Sequence, residues 1–160
     1  MFGKDEIKKA CQEAIGCSTS DQIEAVVIAN TGVLTRFANS TIHQNMEDYD
    51  CLAKIRIAKG KKMGSSSTNI MSSISKAVKM AEDIARNSRE DQEFISLPKP
   101  GQIREVEGFS KRTVSYSYQQ MAEDVRKVIE KAEAAGCKVA GVYSKNIIEM
   151  GTASQTSNPF

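Results

Sequence analysis

The sequence predicts an α+β fold, a curved antiparallel meander sheet with about three helices packed on it. Two observations carry that prediction. Apolar residues recur at helical spacing near the amino terminus and twice more beyond residue 70, whereas residues 22–68 are rich in β-branched side chains and broken by short turn signals. There is no strand–GxGxxG–helix unit, no P-loop and no repeat of about 20–50 residues, which sets aside nucleotide-binding and solenoid architectures.

Residues 4–15 place Ile7, Ala10, Cys11, Ala14 and Ile15 on one helical face, and Gly16 follows as a stop. Ile23, Ala25, Val27 and Ala29 then alternate as a strand. Val26 and Ile28 between them are apolar too, which predicts cover on both faces. Thr31-Gly32 reads as a hairpin into Val33–Asn39, Asn39-Ser40 as a bend or bulge before Thr41–Glu47, and Asp48–Asp50 as a further turn. Cys51, Ala53, Ile55 and Ile57 point one way and Lys54 and Arg56 the other. Lys59–Lys62 (KGKK) makes a solvated hairpin tip, and MGSSSTN a last strand of small residues, for four or five strands in all.

The helical period returns at Ile70, Ile74, Ala77, Val78, Ala81, Ile84 and Ala85, with Ser72 or Ser73 available as the cap. Residues 88–116, with two prolines and two glycines in ISLPKPGQIREVEGFSKRT, form an irregular connector expected to cross the sheet. SYQQ, Ser117 to Gln120, fits a capping box. The helix behind it turns Met121, Val125, Val128, Ile129 and Ala132 inward and stops at Gly136. CKVAGVYS reads as a strand and NIIEMGTASQ as its hairpin partner. The chain then ends at SQTSNPF with no capping element, as expected if residues 1–160 are one amino-terminal domain of a longer protein.

Composition excludes several function classes. Twenty-two Lys and Arg against twenty Asp and Glu give a charge of +2, too balanced to predict direct nucleic-acid binding. No apolar run approaches the roughly 18 residues of a membrane span, and MFGKDEIKKACQEAIG lacks the apolar centre of a signal peptide. A cytoplasmic setting is expected. Cys11, Cys17, Cys51 and Cys137 show no CxxC spacing; Cys11 shares the apolar face of its helix and reads as core. A catalytic zinc needs about three protein ligands, and His43 is the only histidine, so neither a metal-binding helix nor a serine–histidine pair can be assembled from these residues. Glu47, Asp48 and Asp50 sit together where solvation explains them. Alone, the chain is a poor enzyme candidate.

LTRFANSTIHQN, residues 34–45, has another use. Phe37 and Ile42 can go to the core while Arg36, Asn39, His43 and Asn45 project donors and acceptors. Such a face suits the backbone of an extended peptide, and an exposed edge can add a strand to one. The plainer reading is that Asn39 shapes a bend and the others face water.

TRFANSTIHQN, then KIRIAKGKKMGSSSTN, then an amphipathic helix, resembles the amino-terminal domain of the TldD/PmbA family. The first stretch is similar to that family's R-F-A-N-x-x-I-x-Q pattern, and the second to its strand, basic turn and G-x-[AS]-[ST]-[ST]-[ND]. GVYSKNIIEMGTASQTS is similar to a later strand pair, although Gln155 to Asn158 replace the N-S-x-G turn. The resemblance covers residues 5–157 and is strongest over 34–69. It implies proposed zinc metallopeptidases, historically also called modulators of DNA gyrase, which assemble as dimers around a large cavity. Metal-binding members carry H-E-x-x-x-H well downstream, and their paired relatives lack it.

The resemblance therefore implies a non-catalytic amino-terminal domain that helps form the dimer chamber and positions unfolded peptide. Its expected partners are its own carboxy-terminal domain, a paired family subunit and peptide substrate. Zinc is expected only in the missing carboxy-terminal region, and only if the parent is the metal-binding type. Arg36, Asn39, His43, Gln44 and Asn45 are the expected contacts with substrate or the adjoining domain; Arg36 offers a fixed fork of donors, and Asn39 and Gln44 can pair with a peptide backbone. The alternative is a free-standing interaction module that binds a partner by sheet-edge addition.

Overall fold

A computed structural model describes residues 2–99, 101 and 108–156. In chain order they form α1 (Lys4–Cys17), β1 (Gln22–Ala38), β2 (Thr41–Lys59), β3 (Lys62–Thr68), a 3-10 turn (Met71–Ser73), α2 (Ile74–Asn87), α3 (Lys111–Ser115), α4 (Tyr118–Ala134) and β4 (Gly141–Thr156). The strands make one open sheet in the order β3-β2-β1-β4. Strands β2 and β3 pair antiparallel from Ala53↔Thr68 to Lys59↔Lys62. Cross-strand partners also step in opposite directions elsewhere: Glu24 meets Arg56 and Thr35 meets Asn45 between β1 and β2, while Gly141 lies against Phe37 and Asn146 against Gly32 between β4 and β1. The predicted α+β meander is therefore present, with four helices.

Three predicted turns are absent because their residues lack turn geometry. A two-residue hairpin needs backbone with positive φ. Gly32 does not have it and lies inside β1, where a Cβ would sit 3.3 Å from Asn146 Oδ1. The hairpin falls instead at Asn39 and Ser40, with φ of 49° and 56°, so this pair is the turn itself and not a bulge. Asp48–Asp50 continues β2, its charged side chains exposed along the strand. Likewise CKVAGVYS and NIIEMGTASQ are not a hairpin. Cys137–Ala140 lies outside any strand, and Gly141–Thr156 is one strand with no positive φ among its residues.

The chain divides into two compact units, Met1–Ala29, Asp50–Arg104 and Ile148–Phe160 in the first, Asn30–Tyr49 and Glu105–Ile147 in the second. In the first unit one sheet face carries Ile23, Ala25, Val27, Ala29, Ala53, Ile55 and Ile57. It packs against Ile7, Cys11 and Ala14 of α1 and Ile74, Ala77, Val78, Ala81 and Ala85 of α2. Burial pushes the Cys11 thiol up, as expected of a core cysteine. The other face is not covered: Val26 and Ile28 are only half-buried, beside the ion pair of Arg56 with Glu24.

Small residues seat α2 on β3. A Cβ on Gly64 would lie 2.5 Å from the Ala85 nitrogen and closer still to the Ala81 carbonyl oxygen. Two residues on, Ser66 Oγ donates to the Ala77 carbonyl at 2.6 Å. Helix backbone thus rests directly on strand backbone, which explains why the strand reads GSSST. Neither Ser72 nor Ser73 caps α2 with its side chain; the 3-10 turn enters the helix instead, held by Ser73 N–H to the Ile70 carbonyl at 2.9 Å. Ile70 and Ile84, expected inside, are 57% and 43% exposed.

Two carboxylates secure the ends of α1. Glu149 accepts from the Phe2 and Gly3 N–H groups at 2.9 and 2.7 Å. Glu82 accepts from the Thr19 N–H at 2.7 Å and from the hydroxyls of Ser18, Thr19 and Ser20. Gly16 falls within the helix, which runs to Cys17. The described start of the connector does not cross the sheet. It follows the sheet's end, with Lys62 bridged to Glu90, Asp91 N–H donating to the Lys61 carbonyl, and Leu97 N–H donating to Gln22 Oε1 at 2.7 Å. Residues 100 and 102–107 of that connector lie outside the described residues.

In the second unit Phe37, Val125 and Ile129 form the core, with Ile42 and Val139 against it. Met121 is fully buried, but Val128 is 48% exposed because it lies on the outer side of α4. The predicted capping box is formed. Gln120 N–H donates to Ser117 Oγ at 3.2 Å, and Ser117 N–H to Gln120 Oε1 at 2.8 Å. Gly136, at φ 69°, ends the helix region.

Two predictions test the first unit. Gly64→Ala forces α2 off β3 and should cost about 3 kcal/mol by chemical denaturation; an unchanged midpoint would contradict the close seat. For Glu82, burial alone would raise the carboxyl, but the Thr19 N–H and three hydroxyls outweigh it and hold it below the usual range. Its stabilisation is thus present above the unfolded pKa and lost as pH falls through the lower folded one. Glu82→Gln should cost about 1 kcal/mol at neutral pH, with the deficit closing in acid. A pH-independent deficit would assign Glu82 a packing role only.

Candidate functional site

The expected contact residues all lie in the second unit and all are exposed, but they do not share one face. Strand residues alternate sides. Phe37 is in the core, so Arg36 beside it points the other way. Asn45 is on Thr35's side, its Oδ1 accepting from the Thr35 hydroxyl at 2.6 Å, whereas His43 follows Ile42, which packs on Phe37, and so points away from the core as Arg36 does. Gln44 lies between them and is exposed. Asn39 belongs to neither group, being the first residue of the hairpin turn.

Their partners divide them further. His43 Nε2 is 2.9 Å from the Ala38 carbonyl, which engages the ring with its own hairpin. Asn45 braces the buried Thr35. Arg36 has no hydrogen bond or ion pair among the described residues, so its guanidinium is the one expected contact whose charge remains fully available. These residues do not fit a zinc centre. Among the described residues no three His, Cys, Asp or Glu side chains converge to hold a metal.

A second cluster escaped the sequence reading. The end of α3, the start of α4 and the middle of β4 enclose a pocket of about 430 Å³ lined by Arg112, Thr113, Tyr116, Met121, Asp124 and Tyr143 to Asn146. The Tyr116 hydroxyl donates to Asp124 Oδ2, while Lys127 Nζ reaches Asp124 Oδ1 at 3.1 Å. That hydrogen bond to Asp124 is the main cause that pushes the Tyr116 hydroxyl up to about 12. In turn the Tyr116 hydroxyl, with Lys127, holds the Asp124 carboxyl below its usual range. Lys145 Nζ donates to the Tyr116 and Val114 carbonyls at 2.8 and 3.3 Å. The signal in the sequence was SKRTVSYSY, two tyrosines and two cations in nine residues, but the lysine and tyrosine of β4 join it only through the fold.

The comparisons agree with this architecture. Residues 23–85, from β1 to α2, match the family described as PmbA/TldA metallopeptidase domain 1. Over these residues the chain is similar to the first domain of that family. Its fold is similar to TldE from Thermococcus kodakarensis, with a TM-score of 0.71 at 19% identity, covering 92% of this chain and 37% of that one. It is similar also to a candidate modulator of DNA gyrase from Thermotoga maritima, with a TM-score of 0.76 at 14% identity over 96% of this chain and 36% of that one. A third, a candidate modulator of DNA gyrase from Bacteroides thetaiotaomicron, gives a TM-score of 0.72 at 14% identity, covering 96% and 40%. The chain thus spans little more than a third of the TldD/PmbA-type structures it matches. No curated protein matches it.

The glycine-and-serine stretch is the seat of α2 on β3, and the R-F-A-N stretch is the end of β1 with the first residue of the hairpin turn. Both stretches have structural work that needs no ligand. For the pocket, Tyr116→Phe should raise the Asp124 carboxyl toward its ordinary range, read by side-chain NMR titration. An unmoved Asp124 would mean that Lys127 alone sets its charge.

Proposed function

We propose that this chain is the non-catalytic amino-terminal domain of a TldD/PmbA-type metallopeptidase subunit, helping to form a dimer chamber and to position unfolded peptide. The observation that carries the reading is the match of residues 23–85 to domain 1 of that family, in a chain spanning only 36–40% of the similar solved structures. Its partners are then its own carboxy-terminal domain, a paired family subunit and extended peptide, in a cytoplasmic setting. Among the described residues no helix is long and apolar enough to cross a membrane, in keeping with that setting. Zinc belongs to the carboxy-terminal region where the subunit is the metal-binding type.

In this role Arg36 is the leading contact, since it stands exposed with no partner among the described residues. A free-standing module that binds by sheet-edge addition is the second reading. It is favoured by the position of β4 at one end of the sheet, with one side lacking a strand partner among the described residues.

A labelled unstructured casein peptide, titrated against the 160-residue chain by fluorescence anisotropy, tests the peptide role. Saturable binding is expected, weakened about tenfold by Arg36→Ala with an unchanged melting temperature. No binding would contradict the role, and a large fall in melting temperature would make Arg36 structural. The same chain should retain no stoichiometric zinc after dialysis and should not cleave casein. Cleavage lost on His43→Ala would overturn the non-catalytic assignment.

A further inference from the structure

Three features of the second unit meet at one place. The first is unspent positive charge. Among the described residues Asp124 is the only carboxylate lining the pocket, and it is already engaged by the Tyr116 hydroxyl and Lys127. Lys145 and Arg112 line the same pocket without a carboxylate of their own among the described residues. An ammonium has three N–H donors, and Lys145 gives two of them to the Tyr116 and Val114 carbonyls, which fix its position and leave the third. The Arg112 guanidinium makes no hydrogen bond or ion pair among the described residues. Its planar fork matches a carboxylate in a way a lysine cannot.

The second feature is the wall. Thr113, Tyr143, Ser144 and Asn146 add neutral donors and acceptors around those cations, in a space of about 430 Å³, large enough for an acidic side chain with part of its backbone. The third is place. Residues Tyr143 to Asn146 belong to β4, the last strand in the sheet order, so the pocket opens beside an edge that has no further strand among the described residues. An extended segment laid along such an edge delivers alternate side chains to the same side.

We infer that this pocket is an anchor for an acidic residue of an extended peptide docked along β4, with Arg112 and the third N–H of Lys145 taking its carboxylate. The inference deepens the peptide-positioning role and rests on it. It names the edge and the chemistry of one residue, and it places recognition apart from Arg36. Lys127 and the Tyr116 hydroxyl act as positioning groups. They keep Asp124 occupied, so that the incoming carboxylate meets cations and not a free like charge.

Two labelled peptides differing only in a central Glu or Gln test it by anisotropy against the 160-residue chain, with Arg112→Gln and Lys145→Met as variants. The Glu peptide should bind about tenfold more tightly than the Gln peptide. Either variant should remove that difference while leaving affinity for the Gln peptide as it was. The Arg112 side chain is exposed and makes no bond among the described residues, so its variant remains informative even if Lys145→Met unsettles α3. Equal binding of both peptides would overturn the anchor and spare the peptide role; no binding of either would overturn both. An amide NMR titration with inorganic phosphate separates the remaining source. Shifts confined to residues 143–146, without a Glu-over-Gln preference, would make this a site for free anions and overturn the peptide assignment.

Discussion

The first unit depends on the contact of α2 with β3, where helix backbone meets strand backbone at Gly64 with no side chain between them. That approach is closer than any L-residue with a Cβ allows. It dictates the facing residues too: Ala77, Ala81 and Ala85 on the helix, and Gly64 and Ser66 on the strand. With α2 drawn in so far, Ile74 and Val78 reach the isoleucines of β2 and the valine of β1. Ser66 adds direction, because its half-buried hydroxyl finds its acceptor in the Ala77 carbonyl. The apolar core of this unit is thus organised around an absence of bulk.

The second unit solves a different problem. Its hairpin needs two consecutive residues with positive φ, and Asn39-Ser40 supplies them without glycine. Asparagine is among the residues that best tolerate that backbone. Serine is less suited, and its amide is held by the Val139 carbonyl at 3.1 Å. Phe37, just before the turn, fills the core beneath α4, and Gly141 leaves room for its ring. Polar side chains near the turn are therefore partly structural: His43 bonds the Ala38 carbonyl and Asn45 braces Thr35. Functional availability passes to the residues with nothing to hold, Arg36 and Arg112.

Much of the fold was legible because period and capping are local. The helix of Met121, Val125 and Ile129, its SYQQ cap, the KGKK tip and the buried Cys11 follow from sequence spacing alone. The missed turns share one cause. Thr31-Gly32 resembles a hairpin signal, yet Gly32 is there for the approach of Asn146 from β4, over a hundred residues along the chain. The polar Asp48–Asp50 read as a turn after the Thr41–Glu47 strand, and it is strand because it lies exposed on a long ladder. The candidate site was legible only as composition. The fold turns Arg36 and His43 away from the core and Asn45 to Thr35, and the tyrosine–lysine pocket is assembled from α3, α4 and β4.

The central functional claim is that this fold is the front part of a larger peptidase-family subunit, and reading the coding frame beyond Phe160 tests it most directly. The account predicts an open frame running well past the 160 residues in hand, since similar solved chains are more than twice as long. An HExxxH helix in it would mark the metal-binding type, and its lack the paired type. A stop codon directly after Phe160 would contradict the account and leave a self-contained binding module.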